Sequence, residues 1–305
     1  MADIIIFGQA KFGCEVFTRL LAHGHRIVAV SVPPQARPGR LDPLQQAALD
    51  HDVRIVQRKS YKSDEAAAEV GAGDADLCVL AYVTQIIPRR ILDAPAHASI
   101  CFHPSLLPAY RGGSAIPWQL IHGETSGGVT VFRPDDGIDT GPVYVRKQLK
   151  IGPDESAASY YYGHVFEVGV EATIEAADMA LRGSEPVAQD ENLASYQPLC
   201  RDEHAGVDWN AGVQTVHNLV RGCDPSPGAY THAAGEKVRL YGSRILAERD
   251  SGARCGEVLG VDDEGIKVAA AGGALRFSKL ADSAGKAAAA EVAGRLQLAP
   301  GTQLA

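Results

Sequence analysis

Apolar residues fall into two rhythms along this chain. Short unbroken runs (Ile4-Ile5-Ile6-Phe7, residues 26–31, 53–56 and 76–82, and Ile100-Cys101-Phe102) have the length and continuity of buried strands. Between them, residues 12–23, 43–50 and 63–70 carry helical patterns. Gly24 closes the first helix and residues 26–31 resume as strand, so the chain opens as a βαβ unit. Such a unit needs a parallel pair joined by a right-handed crossover. The expected fold is α/β, a Rossmann-like open parallel sheet.

The pattern changes twice more. Asp154-Glu155-Ser156 starts a helix expected to reach about Leu181, where Arg182-Gly183 closes it with a cation at the negative end of the helix dipole. Residues 184–198 are polar, carry two prolines and show no period, which predicts an interdomain linker. Beyond it, Val213, Val216, Leu219 and Val220 repeat at helical spacing behind Asn210, a candidate cap. Short β-patterned runs follow at 238–241, 244–246, 257–261, 266–269 and 275–280, with turns such as Asp262-Asp263-Glu264-Gly265 between them. They predict a small barrel. The expected domains are residues 1–183, a linker at 184–200, and residues 201–305, with a Pro-, Arg- and Gly-rich loop at 33–41.

Composition narrows the class. A hydrophobic content of 46% supports a full core, and 305 residues are comfortable for two domains. The net charge of −8 gives no pull toward nucleic acid or an anionic membrane, so neither is expected as a partner. Six scattered cysteines form no C-x-x-C and no zinc spacing; a reduced, cytoplasmic enzyme without a metal is the expectation. MADIIIFGQ reads as a first strand rather than a signal peptide, and no run approaches a membrane span. The turn Gly8-Gln9-Ala10-Lys11-Phe12-Gly13 lacks the Lys-Ser/Thr of a P-loop and the middle glycine of a dinucleotide fingerprint. Its glycines read as a tight turn and close helix packing.

The chemistry concentrates between residues 98 and 145. The run Ile100-Cys101-Phe102 ends on His103 and a proline, which puts the histidine at a strand's carboxyl end, where open α/β sheets bind ligands. Asp135, Asp136 and Asp139 follow in a Gly-rich turn between two more β-patterned runs. A histidine and a carboxylate meeting there form a general acid–base pair. By residue type alone, His103 is equally a buried structural histidine and Asp139 a turn cap, while Asp135 and Asp136 read as solvated or turn-forming.

His103-Pro104-Ser105-Leu106-Leu107-Pro108, Arg111-Gly112 and Asp136-Gly137-Ile138-Asp139-Thr140-Gly141, with 36 residues from His103 to Asp139, settle the choice. In these motifs the chain resembles the 10-formyltetrahydrofolate-using formyltransferases and hydrolases. The longer run HPSLLPAYRGGSAIPWQLIHG looks most like the amino-terminal hydrolase domain of 10-formyltetrahydrofolate dehydrogenase, and the resemblance covers nearly the whole chain. It implies a formyltransferase fold followed by an OB-like barrel, with 10-formyltetrahydrofolate as cosubstrate. It assigns catalysis to His103 and Asp139. Folate contacts would come from Leu80, Ala81, Thr84, Gln85, Ile87 and Asp136. Gln9 and Lys11 would face the acceptor, and Ser105 and Arg111 would brace the loop or touch substrate.

One position departs from the resemblance. Formyltransferases of this family usually carry Asn two residues before the histidine, where its amide polarises the formyl oxygen; this chain has Cys101. Losing such a donor typically costs ~10²–10³ in rate, and a thiol donates only weakly. Cys101 stands in the catalytic set either in that place or as a covalent nucleophile, although no flanking feature lowers its pKa. Three readings stay open: formyl transfer to a small-molecule amine, hydrolysis of the cosubstrate, and a folate binder without catalysis. A transfer-RNA acceptor would need a basic face after residue 201, where basic and acidic residues are interleaved. The expected acceptor is therefore a small molecule, with the oligomeric state undetermined.

Overall fold

The computed structural model describes residues 1–34, 39, 41–246 and 252–305; most of the loop expected at 33–41 lies outside them. The chain forms two compact units. The first comprises Met1–Gly113, Gly128–Leu149 and His164–Tyr196, and the second Ser114–Gly127, Lys150–Gly163 and Gln197–Ala305.

The first unit is built on a mixed, mostly parallel sheet. Its strands are β1 (Asp3–Gly8), β2 (Arg26–Ser31), β3 (Arg54–Val56), β4 (Leu77–Ala81), β5 (Ala98–His103), β6 (Ser126–Phe132) and β7 (Val143–Lys150). They lie in the order β3-β2-β1-β4-β5-β6-β7. Pairings from β3 to β5 are parallel, and β6 runs antiparallel to β5 with Thr130 opposite His103. Ile4, Ile5 and Ile6 are all fully buried, as a central strand covered on both faces requires.

Helices α1 (Ala10–Ala22), α2 (Pro43–Asp50), α3 (Asp64–Val70) and α4 (Arg89–Leu92) connect the parallel strands. Asp42 caps α2 and Ser63 caps α3 through their side-chain oxygens. Helix α5 (Ala115–Ile121) precedes β6. Residues 157–181 are helical as expected, but as α6 (Ala157–Tyr160), a π-helical turn (Tyr161–Val165) and α7 (Phe166–Leu181). A one-residue register change of this kind leaves no trace in hydrophobic spacing.

Two close approaches fix the sheet that carries the chemistry. A Cβ on Gly8 would sit 2.4 Å from the Ala81 carbonyl, and one on Gly169 would sit 2.6 Å from the Phe102 ring. Glycine lets β1 meet β4 and α7 lie directly on β5. Phe12 seals the second contact, its ring centroid 4.3 Å from that of Phe102.

The second unit holds α8 (Val213–Cys223) and an antiparallel sheet. Its strands are β8 (Ala229–Ala233), β9 (Glu236–Leu246), β10 (Val258–Asp262), β11 (Gly265–Ala270), β12 (Gly273–Asp282) and β13 (Gly285–Ala288), followed by α9 (Ala289–Arg295). The order is β10-β11-β12-β9-β8, with β13 on β12. Residues 302–305 join the two edges: Val258 N–H donates to the Thr302 carbonyl at 2.8 Å, and Ala305 N–H to that of His232 at 2.9 Å. The core of this unit gathers Val216, Val220, Val258, Ile266, Val268, Leu275 and Phe277.

Two local expectations need correction here. Asn210 does not cap α8; Gly212, at φ +95°, stands at that position. The runs at 238–241 and 244–246 are one strand, bent at Gly242 with φ +60°. Among the described residues, no helix is long and apolar enough to cross a membrane.

Candidate active site

The site forms where β5 ends, entirely within the first unit. His103 is buried, and its Nε2 lies 2.8 Å from the Tyr110 carbonyl oxygen. A carbonyl can only accept, so Nε2 carries the hydrogen and Nδ1 is the ring nitrogen left for proton exchange. Nδ1 faces Asp139 Oδ2 at 3.5 Å. That separation is longer than a normal hydrogen bond. The sequence brings the two groups together as expected, but the Tyr110 carbonyl, rather than Asp139, orients the imidazole.

Asp139 sits at φ +58°, a left-handed conformation rare outside glycine but tolerated by Asp. Its Oδ2 accepts from Gly112 N–H at 2.7 Å. The preceding turn is shaped by Asp135, which accepts from Gly137 N–H and the Thr140 hydroxyl. Asp136 projects into solvent with Arg89 as its nearest cation, at 3.9 Å.

The loop after His103 is tied down by buried hydroxyls. Ser105 Oγ donates to the Ala109 carbonyl at 2.6 Å. Thr130 Oγ1 donates to the Ser105 carbonyl at 2.7 Å and accepts from Leu107 N–H at 3.1 Å. Arg111 is buried, with its guanidinium on Glu191 at 2.6 and 2.9 Å and on Gln189 at 2.8 and 3.3 Å. Ser105 and Arg111 thus act as braces of the loop, and their polar atoms are engaged by the protein itself. Arg111 in turn holds the Glu191 carboxyl below its usual range.

Cys101 packs against Leu107, Phe132 and Val143, and its nearest acceptor is the Phe102 carbonyl at 3.7 Å. Burial pushes its thiol well above the ordinary range, and the Asp139 carboxylate adds to the shift. Burial of this kind disfavours the thiolate, the form in which a cysteine acts as a nucleophile.

Two of the remaining candidates, Thr84 and Gln85, line a shallow crevice at the carboxyl ends of β1, β2 and β4, where the strand order reverses. Phe7, Gly8, Ser31, Pro33, Tyr82, Val83, Thr84 and Gln85 line it. Leu80, Ala81 and Ile87 are buried beneath. Tyr82, which lines the crevice, is 49% exposed, and Ile86, next in the chain after its lining residues, is 82% exposed. Gln9 Nε2 reaches Thr84 Oγ1 at 3.2 Å, Gln85 Nε2 donates to the Arg58 carbonyl at 2.8 Å, and Lys11 is exposed. A larger hollow of about 370 Å³, lined by Asp64, Gly71, Arg90 and Ala94 among others, contains none of the candidate residues.

Sequence reasoning missed Gln189, Glu191 and Ser195. All three lie in the stretch expected to be a linker. Ser195 Oγ accepts from Tyr110 N–H at 2.9 Å, and its carbonyl accepts from Arg111 N–H at 2.9 Å. Their partners are 48 to 87 residues away in sequence, so no local pattern reveals them.

Known proteins share both the sequence and the fold of this chain. Residues 2–176 match the family described as "Formyl transferase", and residues 200–295 match "Formyl transferase, C-terminal domain". The chain is 38% identical over 252 residues to the mitochondrial 10-formyltetrahydrofolate dehydrogenase of Homo sapiens, covering 80% of this chain but 27% of that protein. It is 35% identical over 308 residues to the methionyl-tRNA formyltransferase of Geobacter sulfurreducens, covering 99% of this chain and 96% of that one. WlaRD, a sugar 3N-formyl transferase crystallised with dTDP and 5-N-formyl-THF, has the same fold, with a TM-score of 0.69 at 17% identity over 91% of this chain and 97% of that one. With a matching profile over more than half its length and a relative aligned end to end, this chain is a member of the formyl transferase family of enzymes.

Proposed function

We propose that the enzyme transfers the formyl group of 10-formyltetrahydrofolate to a small-molecule amine, with His103 and Asp139 managing the proton. The observation that carries this reading is His103 Nδ1 at 3.5 Å from Asp139 Oδ2, with Nε2 already engaged by the Tyr110 carbonyl. When bound, the cosubstrate supplies an activated formyl carbon. As the amine nitrogen bonds to the formyl carbon and that carbon's bond to N10 breaks, the protein's part is to take the amine's proton at Nδ1, hold the imidazolium beside the Asp139 carboxylate and return a proton to the departing tetrahydrofolate nitrogen. Catalytic contacts longer than a hydrogen bond commonly tighten in the substrate complex. The exposed side chains of Tyr82 and Ile86, beside the main chain of residues 82–85, suit a flat heterocycle with edge donors and acceptors.

A small acceptor fits the charge distribution better than a transfer RNA does. Residues 201–305 hold twelve Lys and Arg against thirteen Asp and Glu. Among the described residues, seven of these cations are ion-paired: Lys237 and Arg239 with Asp202, Arg254 with Glu257, Lys267 and Arg276 with Asp262, Lys286 with Asp224, and Arg295 with Asp282. Phosphate binding needs cations without such partners. Hydrolysis, with water in the place of the amine, is the second reading. Cys101 favours it, because a thiol whose nearest acceptor is a main-chain carbonyl offers the formyl oxygen little polarisation.

The test is tetrahydrofolate release from 10-formyltetrahydrofolate, with and without candidate amino sugars and amino acids. Strict dependence on an amine is expected; rapid release without one establishes the hydrolase instead. His103→Ala should abolish turnover while folate binding persists, and undiminished turnover would refute the acid–base assignment.

A further inference from the structure

We propose that Gln189 is a positioning residue for the reaction: its carboxamide holds Asp139 at the imidazole. The inference rests on the acid–base assignment above. Gln189 Nε2 donates to the Asp139 carbonyl at 2.8 Å and to the Gly141 carbonyl at 2.7 Å. Its Oε1 accepts from Arg111 Nη2 at 2.8 Å and Nε at 3.3 Å. Both amide hydrogens and both acceptor sites are therefore in use. One side chain links the turn that carries the carboxylate to the loop that orients the histidine.

The need for such a clasp follows from the backbone. Asp139 is held at φ +58°, and its side chain touches the rest of the protein through Gly112 N–H and the 3.5 Å approach to His103. A carbonyl left without a donor could rotate toward solvent and take the carboxylate with it. Gln189 pins the carbonyls on both sides of Thr140, so the peptide plane that follows Asp139 cannot turn independently of the one that follows Gly141. Arg111 supplies the counter-anchor: it is buried, and its main-chain N–H is bonded to the Ser195 carbonyl at 2.9 Å, six residues past Gln189. Gln189 itself never touches the imidazole. Its direct bonds are to the turn of Asp139, and it reaches the loop after His103 only through the Arg111 guanidinium.

Misplacement by about 1 Å can cost ~10²-fold in rate. Gln189→Ala is therefore expected to lower kcat by roughly 10- to 100-fold while KM for 10-formyltetrahydrofolate stays within about twofold. Gln189→Glu keeps the length and the acceptor toward Arg111 but loses both donors, and should fall at least as far. The decisive measurement is a double-mutant cycle with Asp139→Asn. In that background Gln189→Ala should reduce kcat by less than about twofold, because the group it positions is already gone. Equal losses in both backgrounds, or a rise in KM with kcat unchanged, would overturn the proposal. Should Gln189→Ala not fold, Gln189→Glu run through the same cycle decides the question. A His103→Ala variant assayed alongside separates the two readings: if it stays active the acid–base assignment fails, and if it is dead while Gln189 variants are fully active only the present inference fails.

Discussion

Thr130→Val is the sharpest probe of how the site is held. Thr130 lies on β6 directly across from His103 and is fully buried. Its hydroxyl makes two bonds into the loop that follows the histidine, to the Ser105 carbonyl at 2.7 Å and from Leu107 N–H at 3.1 Å. Valine matches threonine in shape, so the exchange opens no cavity and isolates the loss of the hydroxyl. Two buried main-chain groups then lose a partner at ~1–3 kcal/mol each, which sums to about 2–6 kcal/mol. Against a typical total of ~5–15 kcal/mol, that is a large fraction. Urea unfolding followed by circular dichroism should show a lower midpoint with an unchanged slope. Turnover at a temperature where the variant is folded should drop by about tenfold or more, since the loop carrying Tyr110 is no longer anchored beside His103. Thr130→Ser keeps the hydroxyl and should lose only ~1 kcal/mol for the missing methyl, with activity retained. A Thr130→Val midpoint within about 0.5 kcal/mol of the parent would mean that water satisfies the loop instead, and the reasoning would fail.

Restoring the amide donor with Cys101→Asn should raise the ratio of amine transfer to water attack, read as formylated product against formate; an unchanged ratio would remove the role given to position 101. Because burial raises the Cys101 thiol, less of it is thiolate at any given pH, so peptide-resolved iodoacetamide labelling at pH 8 should lag behind that of an ordinary thiol and rise only in stronger alkali. Labelling of Cys101 as fast as a free cysteine would contradict its placement. In the second unit, burial lowers the pKa of His217, whose Nδ1 meets Ser243 Oγ and whose Nε2 meets the Pro153 carbonyl, both at 2.9 Å. The unfolded chain then takes the proton first, so stability should fall as pH drops below about the ordinary value of 6.5. Fluorescence of Trp209 in denaturant at pH 7.5 and 5.5 measures this, and His217→Gln should flatten the difference.

Much of this was legible in the sequence because it is local. The strands at 26–31 and the helix at 43–50 fall on their predicted residues, since buried parallel strands and capped helices announce themselves by continuity and by their flanking Asp, Gly and Pro. His103 and Asp139 were recognisable because the motif spacing links a strand end to a turn. What could not be read are the interactions made across long stretches of chain. Residues 184–198 have the composition of a tether, yet Gln189 and Ser195 bond to residues 48 to 87 positions earlier. Polar side chains that serve a distant backbone carry no period, and periodicity was the only signal available there. The π-helical turn at Tyr161–Val165 escaped for a related reason: one extra residue leaves the composition of a helix unaltered.

The contact between Gly8 and the Ala81 carbonyl has an evolutionary corollary. Where two strands meet without room for a single added carbon, the contact between them is made by peptide groups, which are common to every sequence and cannot be exchanged by a codon change. Relatives that keep this contact inherit the same hydrogen-bonding face regardless of what else diverges. Any retuning of what they accept must come from the side chains bordering it, such as Tyr82 and Ile86, or from the turns on the far side of His103.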